Sequence, residues 1–193
     1  MSDPVRAPSA RQQELLELAY KYALEHGLAE LSLRPLAAAI GSSPRVLLFL
    51  FGSKDDLIRA LLGRARSSEL AMLTDLRTTY PDADLAAAAT HLWRWLSAAE
   101  HRDLLRLWVE GYARSLVEPS GPWAGFAAST VQDWLDVLAE YQPARSRHGR
   151  RAVAQRTTIL AVLRGALFDL LATGDDERVG AAVTRELAHQ TQG

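Results

Sequence analysis

The sequence predicts an all-α protein, and three observations carry that prediction. Apolar residues recur at three- and four-residue spacing along most of the chain; Val/Ile/Thr alternation and Asn-Gly or Asp-Gly hairpin turns are almost absent; and Ser, Pro and Gly stand where helices should begin and end. With 193 residues, 48% hydrophobic and 23% charged, the chain can bury a sizeable core, and its composition is not that of a disordered segment. It has no cysteine, which excludes disulfides, thiolate metal sites and thiol nucleophiles. No apolar stretch approaches the roughly 20 residues that cross a bilayer. The start, MSDPVRAPSA, lacks the hydrophobic centre of a secretory signal, so the expected location is cytoplasmic.

The first helix is expected to open at SARQ, where Ser9 caps and Gln12 reaches back as in a capping box. Its stripe is Leu15, Leu18, Ala19 and Tyr22, and Gly27 terminates it. Ser32 is expected to cap a second helix, LRPLAAAI, with Pro35 in the first turn, where a missing N–H costs no hydrogen bond, and Gly41 at its close. Next comes SSPRVLLFLFGSKDDL, whose apolar run from Val46 to Phe51 resembles a buried strand. Ser43 in capping position and Pro44 at the first helical position make it a short third helix instead, ended by Gly52. So short a helix is unstable alone and needs anchors; Leu47 and Phe51, four residues apart, supply them.

Ser53 and Asp56 form another capping box, opening a long fourth helix over residues 54–78. Beyond Pro81, helices are expected over 84–99, 102–117, 122–141, 150–173 and 177–190. The charge cluster PARSRHGRR, between the third and fourth of these, reads as a solvated interhelix loop ahead of a second nucleic-acid contact. Net charge is −1; residues 1–66 hold nine Lys or Arg against seven Asp or Glu, and the remainder thirteen against sixteen. That slight basic bias of the N-terminal third is weak evidence alone.

Two short helices joined by a tight Gly-containing turn, with a longer helix on either side, make a helix-turn-helix unit. In order, Ser32, Leu36, Ala37, Gly41, Ser43, Leu47, Phe51, Ser53, Lys54 and Leu57 resemble the DNA-binding domain of the TetR family of transcriptional regulators. Beyond these residues the resemblance is one of architecture. It implies an N-terminal three-helix helix-turn-helix domain, residues 1–53, joined by the helix 54–78 to a helical ligand-binding and dimerisation domain within 54–193. The implied function is a ligand-responsive, sequence-specific DNA-binding regulator, a repressor released from its operator by a small molecule. Its partners would be double-stranded DNA, a mostly apolar effector and a second copy of the chain, with no membrane and no cofactor.

Carried over by position, the resemblance implies that Arg34, Pro44, Arg45, Val46 and Phe49 face bases. Lys54, with the N-terminus of the fourth helix, would hold a phosphate. Ser32, Ser43 and Leu48 complete the expected DNA surface. The chemistry of Arg45 agrees, since a guanidinium near the start of an inserted helix can make two hydrogen bonds to guanine. The sequence departs from the family at Leu48 and Leu50, where an aromatic hydroxyl and a tyrosine or histidine usually touch phosphate oxygens. Leu48 can instead meet a thymine methyl, and Leu50 can pack on the first or fourth helix. The expected consequence is a weaker or less salt-sensitive complex. Arg6 and Arg11, beside Pro4 and Pro8, read as a disordered tail ahead of a minor-groove arm. The rival reading is a helical adaptor with degraded DNA recognition that presents Leu48, Phe49 and Leu50 to a protein partner.

All five tryptophans lie between residues 93 and 134. Trp123, Ala127, Thr130, Trp134, Val137 and Tyr141 form one stripe, and Leu104, Trp108 and Tyr112 another. Such stripes usually make core, but five indoles also suit an apolar cavity, for which Trp95, Trp108, Tyr112, Phe126, Thr130 and Trp134 are the expected lining. His91, Glu110 and Arg164 are its polar candidates. The histidines have no metal-ligand spacing, and there is neither a Gly-rich phosphate loop nor a G-x-S-x-G turn, so neither a metal nor enzymatic chemistry is expected. Val153, Leu160, Leu163, Leu167 and Leu171, then Val179, Val183 and Leu187, suit either a two-fold dimer bundle, as the resemblance implies, or one intramolecular core.

Overall fold

The computed structural model describes residues 9–190. They form α1 (Ala10–His26), α2 (Leu33–Ala39), α3 (Pro44–Phe51), α4 (Lys54–Thr79), α5 (Leu85–Ser97), α6 (Arg102–Val117), α7 (Phe126–Glu140), α8 (Arg150–Thr173) and α9 (Asp176–Gln190), with single 3-10 turns at Ala99–His101 and Gly121–Trp123. No strand occurs among the described residues, and the protein is all-α. Arg6, Pro4 and Pro8 lie outside the described residues; Arg11 pairs with Glu14 at 2.7 Å on the surface of α1.

The capping chemistry is mostly as expected, with two corrections. Ser43 Oγ accepts from the N–H of Val46, Pro44 opens α3, and Gly52 closes it at φ +88°. Ser53 Oγ accepts from the Asp56 N–H at 3.0 Å and donates to the Asp56 carboxylate at 2.6 Å. Ser9 caps Gln12, but the Gln12 side chain does not return to Ser9; its amide donates to the carbonyl of Leu50 at 2.9 Å. Helix ends leave their last carbonyls without partners, and this one lies within reach of α1. Ser32 occupies the N-cap position of α2 without a side-chain capping bond. The helix expected over 122–141 is split, because Gly125 turns at φ +75° between the 3-10 turn and α7. Ser115 on α6 then accepts from the Ala127 N–H at 3.1 Å.

The chain divides into two compact units, one running up to Ala65 and including Arg106–Ala127, the other comprising Arg66–Leu105 and the residues from Ala128 onward. That grouping differs from a division at residue 53. The reason lies within the first unit, where the start of α4 and most of α6 join α1–α3. A Cβ at Gly111 of α6 would stand 2.7 Å from Leu62 Cδ2 and 3.1 Å from Phe126 Cε1, so a larger residue there would require these side chains to shift. The core of α1 is Leu15, Ala19, Tyr20 and Ala23. The expected stripe was rotated by part of a turn: Leu18 and Tyr22 are half-buried, and Tyr22 stacks on His26 at 4.0 Å.

In the second unit α5, α8 and α9 pack on one another. Leu160, Leu163, Leu167, Val179, Val183 and Leu187 are all buried in that packing. These side chains therefore form intramolecular core, and only Val153, 38% exposed, and half-buried Leu171 retain outward surface. The outward stripe of α8 is instead Ala154, Thr158, Ala161, Gly165, Phe168 and Ala172, all exposed.

The turn from α8 to α9 is held by charge. Arg178 donates to both oxygens of Asp169 at 2.6 and 2.8 Å and to Asp175 at 3.0 Å, around Gly174 in the left-handed region. Hydrogen bonds from Arg178 hold the Asp169 carboxyl below its usual value, against the opposing effect of burial. A carboxyl whose folded pKa is depressed stabilises the fold above its unfolded pKa, and that contribution is lost as pH falls through the folded value. In an NMR titration the turn is therefore expected to loosen only below about pH 3.9. Loosening at higher pH would mean that the Asp169 pair does not hold it.

Candidate nucleic-acid interface

The axes of α2 and α3 are bent by 102° at their connection, within the range of helix-turn-helix units. Gly41, at φ +63°, makes the turn possible, since that backbone region is unfavourable for residues with a Cβ. On α2, Leu36 and Ala37 are buried; on α3 only Leu47 is, at 1% exposure. Phe51, expected as a second anchor, is half-buried.

Four other residues of α3 are exposed and available to a partner. Arg45 is exposed, Val46 is 38% exposed, Leu48 41% and Phe49 86%. Ser32, Arg34 and Lys54 are exposed, and Ser43 and Pro44 half-buried, so none of the nine residues expected on the DNA surface is spent in the core. Lys54 begins α4, whose positive dipole end adds to its charge. The two departures from the family pattern now separate. Leu48 points outward, whereas Leu50 is half-buried and its carbonyl is tied to Gln12.

The pose of this surface depends on a residue assigned elsewhere from sequence. Glu110, expected as a pocket group, accepts from the N–H of Leu28 at 2.8 Å and from the N–H of Ala29. It clamps the turn that leads from α1 to α2. Gly27 precedes that turn at φ +77°, and a Cβ there would lie 3.0 Å from Glu110 Oε2. The sequence offered no clear signal for this role, because Glu110 lies between Arg106 and Arg114 on its helix face and reads there as an ordinary charged surface residue.

The residues expected to line an effector cavity are distributed over both units. Trp108 and Phe126 are buried in the first, where Tyr112 stacks on Trp108 at 5.1 Å. Thr130 and Trp134 are buried in the second, where half-buried Trp95 stacks on His101 at 4.0 Å. His91 stacks on Tyr80, and Arg164 is half-buried on α8. Sequence reasoning missed Glu69, which is 5% exposed and accepts a hydrogen bond from the Trp134 indole. The sign was present in α4, where Glu69 continues the stripe Ile58, Leu62, Ala65 toward Leu73. Among the described residues no group of three His, Asp or Glu is placed to hold a metal ion, and no single helix is long and apolar enough to cross a membrane.

Residues 15–61 match the family of bacterial regulatory proteins, tetR family. No curated protein matches the chain by sequence. Among solved structures, a TetR transcription regulator from Haloarcula marismortui superposes with a TM-score of 0.72 at 18% identity, covering 93% of this chain and 95% of its own. GusR of Salmonella enterica gives 0.67 at 18%, covering 99% and 100%. The multidrug binding protein EbrR complexed with proflavin gives 0.64 at 24%, covering 91% and 98%. The match across residues 15–61 shows that the N-terminal part of the chain is similar to the tetR family of bacterial regulatory proteins, and the superpositions show that the chain shares the fold of these solved structures.

Proposed function

We propose that this protein is a dimeric, non-enzymatic cytoplasmic repressor that binds a pseudo-palindromic operator and leaves it when a small molecule binds. The observation that carries the reading is α3 itself. A large apolar residue at 86% exposure, Phe49, beside exposed Arg45 and Val46, is costly on a free surface and useful in a major groove. Residues up to 53 would form the reading head and the rest the effector and dimerisation portion. The outward stripe of α8, with Phe168 among small residues, offers a seam on which a second copy can pack closely. Two copies would present two reading helices at the roughly 34 Å spacing of successive major grooves.

Trp95, Trp108, Tyr112, Phe126, Thr130 and Trp134 remain the proposed effector contacts. EbrR has been solved with proflavin, ethidium and malachite green. A buried carboxylate, Glu69, against the Trp134 indole suits a flat apolar effector of that kind that also carries positive charge. For such a ligand to act as a switch it must favour the DNA-free form, by about 1–3 kcal/mol in ordinary allostery. An effector that binds equally well with and without operator would defeat this part of the reading.

Selection of genomic fragments by the purified protein tests the function. A recovered pseudo-palindrome is the expected result; salt-titratable binding without sequence preference, or none, would favour the adaptor reading that exposed Leu48 and Phe49 also permit. On the selected site, Arg45→Ala is expected to cost about 1–3 kcal/mol and relax preference at one base pair. Leu48→Tyr is expected to steepen the salt dependence by about one phosphate contact. The same change at Leu50 should do less, because its side chain is half-buried and its backbone is held by α1.

A further inference from the structure

The regulator reading leaves open which feature of DNA α3 recognises, and the composition of the helix narrows the choice. Its eight residues, PRVLLFLF, include one side chain that can hydrogen-bond, Arg45. The hydroxyls on either side of the helix are engaged or hidden. Ser43 Oγ accepts from the Val46 N–H at 3.3 Å, Ser42 Oγ is buried, and Ser53 Oγ is bonded to Asp56.

The exposed residues of α3 are Arg45, Val46, Leu48 and Phe49. Helical geometry sets Arg45, Leu48 and Phe49, at i, i+3 and i+4, on one face, with Val46 about one turn before Phe49. Buried Leu47 and the Gln12 bond to the Leu50 carbonyl fix the rotation of the helix, so one guanidinium and three apolar side chains are presented together.

The groups that bases show in the major groove are hydrogen-bond donors and acceptors, with one apolar exception, the C5-methyl of thymine. Laying Val46, Leu48 or Phe49 on the polar edge of guanine, adenine or cytosine would strip water from those groups without replacing its hydrogen bonds, which is unfavourable. Against a methyl, the same side chains bury apolar area of both partners.

We propose, resting on the DNA-binding reading above, that α3 selects its site through C5-methyl groups, which makes Leu48 and Phe49 specificity-determining residues. Each half-site then holds a guanine for Arg45 and, one to two base pairs from it, thymines whose methyls meet Leu48 and Phe49. That spacing follows from the helix, because three to four residues at 1.5 Å each span about 4.5–6 Å, against 3.4 Å per base pair. 5-Methylcytosine carries the same methyl in the same place and substitutes for thymine in this role. Uracil, which differs from thymine only in lacking the methyl, does not.

Synthetic duplexes of the operator recovered by fragment selection test this, with the affinity of the full chain measured by fluorescence anisotropy at constant salt. Replacing half-site thymines by deoxyuridine is expected to weaken binding about fourfold for each contacted methyl lost. At such a position a 5-methylcytosine–guanine pair is expected to bind about fourfold more tightly than a cytosine–guanine pair, which isolates the methyl from the change of base pair. In a variant combining Leu48→Ala and Phe49→Ala both differences are expected to vanish, whereas Arg45→Ala should retain them. Both truncated side chains are exposed, so the thermal midpoint of the variant is expected to stay at that of the unaltered protein. An operator that is recovered but binds equally well with uracil in place of thymine would overturn the methyl reading and leave the regulator standing. A uracil penalty undiminished in the double variant would do the same. Recovery of no preferred sequence would overturn both.

Discussion

Leu47→Ala is expected to cost about 3–5 kcal/mol of stability and to abolish operator binding. Leu47 is 1% exposed and is the only buried side chain on α3. A helix of eight residues has too few internal hydrogen bonds to persist without packing, so losing this one side chain loosens the whole reading surface. Helix content should change little, since α3 is a small part of a largely helical chain. The contrast with its neighbours sharpens the test: Arg45→Ala should leave the denaturation midpoint alone while weakening DNA binding, and Phe51→Ala, at a half-buried site, should be milder than Leu47→Ala. Urea denaturation followed by circular dichroism measures all three. A Leu47→Ala cost under about 1 kcal/mol would mean that α3 is held chiefly by other contacts, such as the Gln12 bond to Leu50.

The second large effect belongs to Glu110. Its replacement by alanine removes the acceptors of two backbone N–H groups, those of Leu28 and Ala29, and Leu28 is fully buried. Hydrogen bonds to a charged group contribute about 1.5–3 kcal/mol each, and because both share one carboxylate the expected loss is about 2–4 kcal/mol rather than their sum. Glu110→Gln keeps one acceptor oxygen and should recover roughly half. Since the clamped turn sets where α2 begins, operator affinity should fall with stability even though Glu110 is far along the chain from α3. Unchanged stability in Glu110→Ala would remove the clamp from the account of this fold.

How much of this was readable beforehand varies residue by residue. The oily run Val46–Phe51 became a helix on the strength of Ser43, Pro44 and Gly52, because caps and proline act through bonds between residues two to four apart. The outward residues of α3 were legible for a similar reason: once Leu47 is assigned inward, helical geometry turns Arg45, Leu48 and Phe49 out. Gln12 went the other way. Its local option was the capping box with Ser9, and a carbonyl brought close by tertiary packing won. Glu69 and Glu110 looked like ordinary surface acids or pocket groups because the acceptor role of a carboxylate depends on donors that are distant in sequence. The dimer stripe failed similarly. A periodic apolar face says that something will cover it, and here the cover for Leu163 and Val183 is the chain's own packing, leaving the smaller residues of α8 outward.

The sequence by itself determined that the chain is helical, where most helices begin and end, and which short helix carries the exposed residues Arg45, Val46, Leu48 and Phe49. Those properties follow from backbone conformation, capping and periodicity, all of which act within about one or two helical turns. Only the tertiary structure decided that Glu110 braces the turn before α2 and that Leu50 is tied to α1 while Leu48 remains outward. These depend on which donors and acceptors meet across long stretches of chain, and a one-dimensional pattern does not encode that meeting until packing brings them together.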